Sequence, residues 1–361
     1  MNELMNITES GVPESRLNDP KSVKEMVLQM IQADDTRSGV RSKVKGLVDG
    51  NAPYKNSDLT RTGQSFRTNV NFREAESFLN MGVSAFFDVF SEVPTYATVK
   101  IDHGDVNDSE RYSRIITEEF DKMQKKDGNF DYLMQLSQHE MVLYGTGPLI
   151  FEDNFDWRCK PVKSADLLVP DGTKSNVADW PACAVRSNYQ VHELYSFIRN
   201  QEAASKAGWD VSAARSAIMA AAPKPHGLGS RNTWEDAQQE LRNNDLSFSS
   251  RCDTVEVAHV FYREFPTEEH PNGAISHCIV DMRGEVESFL FRKVNRFKSW
   301  SECVHCMYYD KGDGMHHSVK GMGVKMYSAL ELKNRLRCSL VDAAMARSQI
   351  MLQPESPNDL N

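Results

Sequence analysis

The most restrictive stretch of this chain is a run without helix breakers near its end. From Val324 to Gln353 there is neither Pro nor Gly, room for roughly eight helical turns where about three is usual. A Gly-rich turn, Gly321 and Gly323, precedes it. Leu332, Leu336, Leu340 and Ala343/Ala344 fall at helical spacing on one side. Lys325, Lys333, Arg335, Arg337 and Arg347 occupy much of the rest. Such a helix is either an ordinary core helix or a strut that packs against copies of itself.

Upstream, Val23–Ala33 has helical periodicity, and the polar stretch after it, rich in Gly, Pro, Asn and Asp, reads as a loop or adaptable arm up to about residue 65. Asn71 is placed to cap a helix with Phe78, Met81, Ala85 and Val89 on one face, ending before Pro94. An extended piece follows. Ser109 then starts a helix bearing Tyr112, Ile115, Ile116 and Phe120, stopped by Asp127-Gly128, and Asn129 starts another that ends near Gly145. Short strands are expected at 148–152, 157–162 and 182–186, and Ser187-x-x-Gln190 reads as a capping box for a helix with Val191, Leu194, Tyr195 and Ile198. Asp210 and Thr233 are placed to cap two further helices. Three strand-like runs at 254–265, 275–282 and 285–294 form a β-meander before the long helix, the last two linked at Arg283-Gly284. Helices do not alternate regularly with strands, so the class expected is α+β rather than a doubly wound sheet.

The formal charge of −9 argues against a protein that grips nucleic acid by neutralising phosphates. It is compatible with one that surrounds DNA and lets it slide. No run of about 18 apolar residues suggests a membrane span. The seven scattered cysteines read as reduced thiols in a cytosolic protein. Cys303-x-x-Cys306, with His277, Cys278, His305, His316 and His317 near in sequence, raises a zinc site, but a second regular pair is missing; buried thiols and turn histidines are the plainer reading. Gly312-x-Gly314 and Gly321-x-Gly323 match neither phosphate-binding fingerprint and read as turns. His139-Glu140 reads as a surface pair. No nucleophile elbow or H-E-x-x-H motif occurs, and no cofactor is implied. Lys311, Lys320 and Lys325, with Arg335 and Arg337, are the densest basic cluster of the last third.

Residues 144–172 (YGTGPLIFEDNFDWRCKPVKSADLLVPDG) resemble the wing of tailed-bacteriophage portal proteins, the head–tail connectors. Residues 67–87 resemble the early portal helix after an N-terminal arm, and 315–354 the place where a G-x-G turn feeds a long stem helix. The resemblance spans 67–354 in order. It implies an arm at 1–66, a wing at 67–225, a first stem helix at 226–253, a clip at 254–309, a second, long stem helix at 310–353 and the start of a tunnel loop at 354–361. Portals continue past the stem into a further wing portion and often a crown, so the resemblance implies a truncated portal or a shorter relative. It also implies a non-enzymatic ring, typically of twelve subunits, at a capsid vertex of the virion, assembled in the host cytoplasm. Double-stranded DNA would pass through that ring in packaging and ejection. Terminase, a head–tail adaptor, and the major capsid and scaffolding proteins would be its partners. On that reading Lys320, Lys325, Lys333, Arg335, Arg337 and Arg347 are the candidates for DNA, channel or intersubunit contact. The competing readings are a metal-dependent enzyme (dispersed carboxylates with Mg²⁺, or zinc on Cys303 and Cys306) and a scaffold or capsid-interior component.

Overall fold

A computed structural model describes residues 18–64, 66–91, 98–101, 106–124, 129–151, 159–221, 254–267, 270–282 and 288–350. The fold is α+β with antiparallel sheets. The helices are α1 (Pro20–Val48), α2 (Asn56–Arg61), α3 (Glu74–Ser91), α4 (Val106–Lys122), α5 (Phe130–Tyr144), α6 (Val191–Ile198), α7 (Gln201–Ala207), α8 (Val211–Ala221) and α9 (Met322–Ile350). The strands are β1 (Thr146–Phe151), β2 (Cys159–Pro161), β3 (Leu167–Leu168), β4 (Ala182–Gln190), β5 (Thr254–Arg263), β6 (Ile275–Asp281), β7 (Phe291–Phe297) and β8 (Val304–Tyr308).

The larger sheet has the order β3-β4-β5-β6-β7 and the smaller β2-β1-β8. β5 is covered on both faces. Val255, Val257 and Phe261 point one way and Ala258, Val260 and Tyr262 the other, all buried, as the period-2 pleat requires. On the second face Ala182, Ala184 and Ala258 are small, and Val23, Val27 and Met30 of α1 pack into the space they leave. On the first face Trp180, Cys183, Phe261, Phe297 and Trp300 join Ile150, Cys303 and Val304 of the smaller sheet and its approach. Further along that face lie Leu194 and Ile198 of α6 with Ala214 and Ala217 of α8.

The meander forms, but not as a sheet of its own. β5 pairs with β4 over nine residues, from Ala182↔Tyr262 to Gln190↔Thr254, and β8 pairs with β1. The segments assigned to wing and clip therefore share both sheets. The first stem helix expected at 226–253, the Thr233 cap, the Asp127-Gly128 stop, the link at Arg283-Gly284 and residues 354–361 lie outside the described residues.

Several local expectations are corrected. The helix read as ending at Ala33 continues to Val48. Gly39 is tolerated mid-helix at about 1 kcal/mol, Val44 is buried against α3 and α5, and Arg41 forms a buried ion pair with Asp34, Nη1 to Oδ1 at 3.0 Å. Asn71 lies ahead of α3 rather than at its N-cap: its Oδ1 accepts from the Arg73 amide at 2.8 Å, and the helix starts at Glu74. Asn71 Nδ2 donates to the Leu47 and Asn51 carbonyls, tying the strand-like segment before α3 to the end of α1. The helix expected from Ser109 starts at Val106. Ser187 belongs to β4, and the capping box is Gln190 with Glu193. Asp210 does cap α8, accepting from the Ser212 and Ala213 amides.

His139-Glu140 is no surface pair. Glu140 Oε2 accepts the Ser164 N–H at 2.8 Å, and burial raises its pKa. A raised carboxyl pKa favours the protonated folded state, so this group costs stability as pH rises through the folded-state value. Glu140→Gln, whose amide oxygen still accepts from Ser164, is expected to raise stability at pH 8 relative to the parent. The gain should shrink as pH falls from the raised folded-state value toward the ordinary Glu value of about 4.3 and be absent below it. Urea unfolding at both pH values measures it; a gain unchanged with pH would refute the assignment.

Candidate functional site: the terminal helix and its strap

The start of α9 is fixed by backbone against backbone. A Cβ at Gly321 would lie 2.5 Å from Gly145 N and 2.6 Å from the Val142 carbonyl oxygen, and one at Gly323 2.8 Å from the Leu143 oxygen. Gly145 itself ends α5 at φ 107°, a left-handed conformation that suits glycine. The Gly321-x-Gly323 spacing therefore serves a close crossing of α9 over the α5–β1 corner. Met322, Val324 and Tyr327 then pack with Val44, Leu79, Val83 and Val142.

Beyond Tyr327 the helix buries a polar face. An extended strap, Thr68–Phe72, runs antiparallel along it. Thr68 N donates to Asp342 Oδ1 at 2.8 Å, Cys338 Sγ donates to the Val70 carbonyl at 3.4 Å, and Phe72 N donates to Asn334 Oδ1 at 3.3 Å. The repeat has a simple origin. Two extended residues advance about 6.6 Å and four helical residues about 6.0 Å, so alternate strap residues meet every fourth helix residue. Asn334 and Cys338 are buried beneath the strap. The Thr68 bonds hold the Asp342 carboxyl below its ordinary pKa.

The leucines look the other way. Leu332, Leu336 and Leu340 are 58 %, 56 % and 69 % exposed. The plain core-helix reading of this stripe is thus corrected: nothing in the described chain covers it. The same inversion recurs on α3, where Ala75, Leu79 and Val83 are buried while Met81 and Val89 of the expected face are exposed. On α4, Tyr112, Ile115 and Ile116 are exposed too.

Four of the six candidate basic residues are matched by carboxylates of the same chain. Lys333 Nζ lies 2.8 Å from Glu74 Oε2, and Arg337 pairs with the other oxygen of Glu74. Arg335 meets Glu331 at 2.6 Å and covers the Tyr54 ring. Lys325 pairs with Asp310 beside the Tyr309 ring. The hydrogen bond from Lys333, reinforced by Arg337, lowers the Glu74 pKa, and the bond from Lys325 lowers that of Asp310. Lys320 and Arg347 are exposed. The cluster is brought together along one helix, but mostly as intrachain ion pairs.

The cysteine pair is not grouped with a third metal ligand among the described residues. Cys303 lies in the core beside Trp300, and burial pushes both its thiol and that of Cys306 up to about 12, which disfavours the thiolates zinc requires. The histidines go elsewhere. His305 bonds the Ser301 carbonyl, His316 the Tyr308 hydroxyl, and His317 the Val169 carbonyl, while His277 sits in the larger sheet between Arg296 and His259. Among the described residues no three His, Cys, Asp or Glu are grouped to hold a metal ion, and no helix is long and apolar enough to cross a membrane.

Sequence reasoning missed the strap. A signal was present: Asn334, Cys338 and Asp342 recur every fourth residue opposite the leucines. Asn334→Ala removes the acceptor for Phe72 N–H and should destabilise by about 1 kcal/mol. Amide exchange at Phe72 should accelerate while that at Val260 in the sheet core does not. Unchanged protection at Phe72 would show that the bond does not hold the strap.

Compared with known proteins, the chain is matched by no family model and by no curated protein.

Proposed function

We propose that this chain is a non-enzymatic subunit of a homo-oligomeric ring of the portal kind, conducting double-stranded DNA at a capsid vertex. The observation that carries the reading is the leucine stripe of α9. A helix of 29 residues, about 43 Å long, is anchored on its polar face by its own chain and leaves Leu332, Leu336 and Leu340 uncovered. A neighbouring copy would supply the missing cover. Exposed apolar side chains on α3 and α4 suit further contacts of the same sort.

The charge pattern supports the second half of the proposal. The chain is acidic overall, and Lys325, Lys333, Arg335 and Arg337 are already paired. A wall of this kind attracts phosphate weakly, which suits passage rather than gripping. Lys320 and Arg347 are its uncommitted α9-side cations. On this reading the ring sits in the virion and docks terminase and a head–tail adaptor, with the capsid and scaffolding proteins around it.

Electron microscopy of the purified protein tests the proposal. Rotationally symmetric particles with a central hole are expected. The triple variant Leu332→Ser, Leu336→Ser, Leu340→Ser should retain its helical circular dichroism, because these side chains are exposed within one chain, yet lose the rings. Each leucine covered by a neighbour contributes about 1.5 kcal/mol, so the combined loss is large. A parent protein that stays monomeric at every salt concentration and shows no ring class overturns the proposal.

A further inference from the structure

A concavity of about 860 Å³ opens where the two sheets meet, lined by no residue of α9. Its walls come from the turn at Val177–Asp179, the end of β5, the turn at Lys298–Ser301, the outer side of β8 and Lys311. It falls in the size range of small-molecule sites. The floor is rigid: Trp300 is buried, and its indole N–H donates to the Trp180 carbonyl at 2.9 Å.

The charge on these walls differs from that on α9. Arg263, Lys298 and Lys311 all line the space, and among the described residues no carboxylate lies within ion-pair distance of any of them. The one acidic residue in the lining, Asp179, accepts from the Asn176 amide at 3.3 Å. In a chain with 51 acidic and 42 basic residues, three lining cations stand beside one lining carboxylate, Asp179, and a neighbouring one, Glu302, that is taken up by the Lys298 amide at 2.8 Å, a local excess of positive charge. Arg263 donates one N–H to the Ala178 carbonyl, leaving most of its five donors free. Ser299 and Ser301 share a hydroxyl–hydroxyl bond of 2.7 Å, so one of the two O–H groups remains available to a further acceptor.

We infer that this concavity is a binding site for a phosphoryl group. The donors are numerous and mixed: a guanidinium fork, two ammonium groups and hydroxyls. A phosphate presents three or more acceptor oxygens and up to two negative charges, which uses such a set more fully than the two oxygens of a carboxylate. The apolar part of the lining, Val177 and Ile275 with the Trp300 floor, gives the remainder of a phosphorylated ligand a surface to rest on. The site belongs to one chain, so the inference stands or falls separately from ring assembly.

Calorimetry on the full chain, with inorganic pyrophosphate as probe, tests it. Lys298→Gln with Lys311→Gln should weaken pyrophosphate binding on the order of tenfold or more at unchanged melting temperature, since no carboxylate among the described residues lies within ion-pair distance of either lysine. Lys45→Gln with Lys206→Gln, which removes the same charge at exposed positions outside the concavity, should leave binding within about twofold. Absence of binding by the parent, an equal loss in both double variants, or tighter binding of a glutamate-rich peptide of matched charge would each overturn the assignment. A short DNA duplex added in competition separates two sources of the same chemistry. Displacement of pyrophosphate identifies a nucleic-acid backbone, and no displacement identifies a free phosphorylated ligand; both uphold the phosphoryl site.

Discussion

Everything about the terminal helix follows from one crossing of backbones without side chains between them. Gly145 closes α5, opens β1 and lies against Gly321, so the helix, the smaller sheet and α1 are referred to one corner. The crossing costs the chain any side chain at Gly321, because a Cβ there meets backbone atoms that cannot rotate away. In return it fixes the direction of a rigid rod of 29 residues. A rod held at one end amplifies small angular errors at the other. The strap at Thr68–Phe72 is the second support, and its hydrogen bonds reach as far along the helix as Asp342.

The two supports differ in kind. At the start of α9 the contact is apolar and close-packed, with Met322, Val324 and Tyr327 in a cluster contributed by four helices. Further along, the support is a ladder of side chains bonded to an extended backbone. Such a ladder asks for Asn, Cys and Asp at four-residue intervals and leaves the opposite face free of any packing duty. The ion pairs of Glu74 with Lys333 and Arg337 flank the ladder and are largely exposed. Exposed pairs contribute roughly 0 to 1 kcal/mol each. Their consequence is electrostatic: they take up cations that would otherwise face outward.

The fold was legible where local chemistry decides. The helix of α5, the Asp210 cap, the first two meander strands and the terminal helix all follow from periodicity and breakers, whereas the third strand runs at Phe291–Phe297 rather than 285–294. It was illegible where tertiary contact overrides local signals. Gly39 and the polar residues around it argue for a loop, yet Val44 and the buried Asp34–Arg41 pair carry α1 on to Val48. The pairing of β4 with β5 joins residues more than sixty positions apart, which no local pattern encodes. For the candidate site, the basic residues could be enumerated but their partners could not, since Glu74 lies far from Lys333 in sequence. The uncompensated cations at Arg263, Lys298 and Lys311 are scattered in the chain for the same reason and meet only through the two sheets.

The orientation of the leucines is the point on which function turns. Periodicity gives an apolar stripe but not the side from which it will be covered. Within this chain the covering would be simple: the strap could have docked on Leu332, Leu336 and Leu340 with apolar side chains, burying three leucines at a gain of about 1.5 to 3 kcal/mol each. It docks on Asn334, Cys338 and Asp342 instead. A chain that holds this 29-residue helix by its polar face forgoes that gain in the monomer, and on the proposed reading keeps it for association. α3 is held instead by apolar residues, Ala75, Leu79 and Val83, yet it too leaves Met81 and Val89 facing outward. On the proposed reading, two helices anchored by one face and apolar on the other would have their outer faces covered by neighbouring subunits.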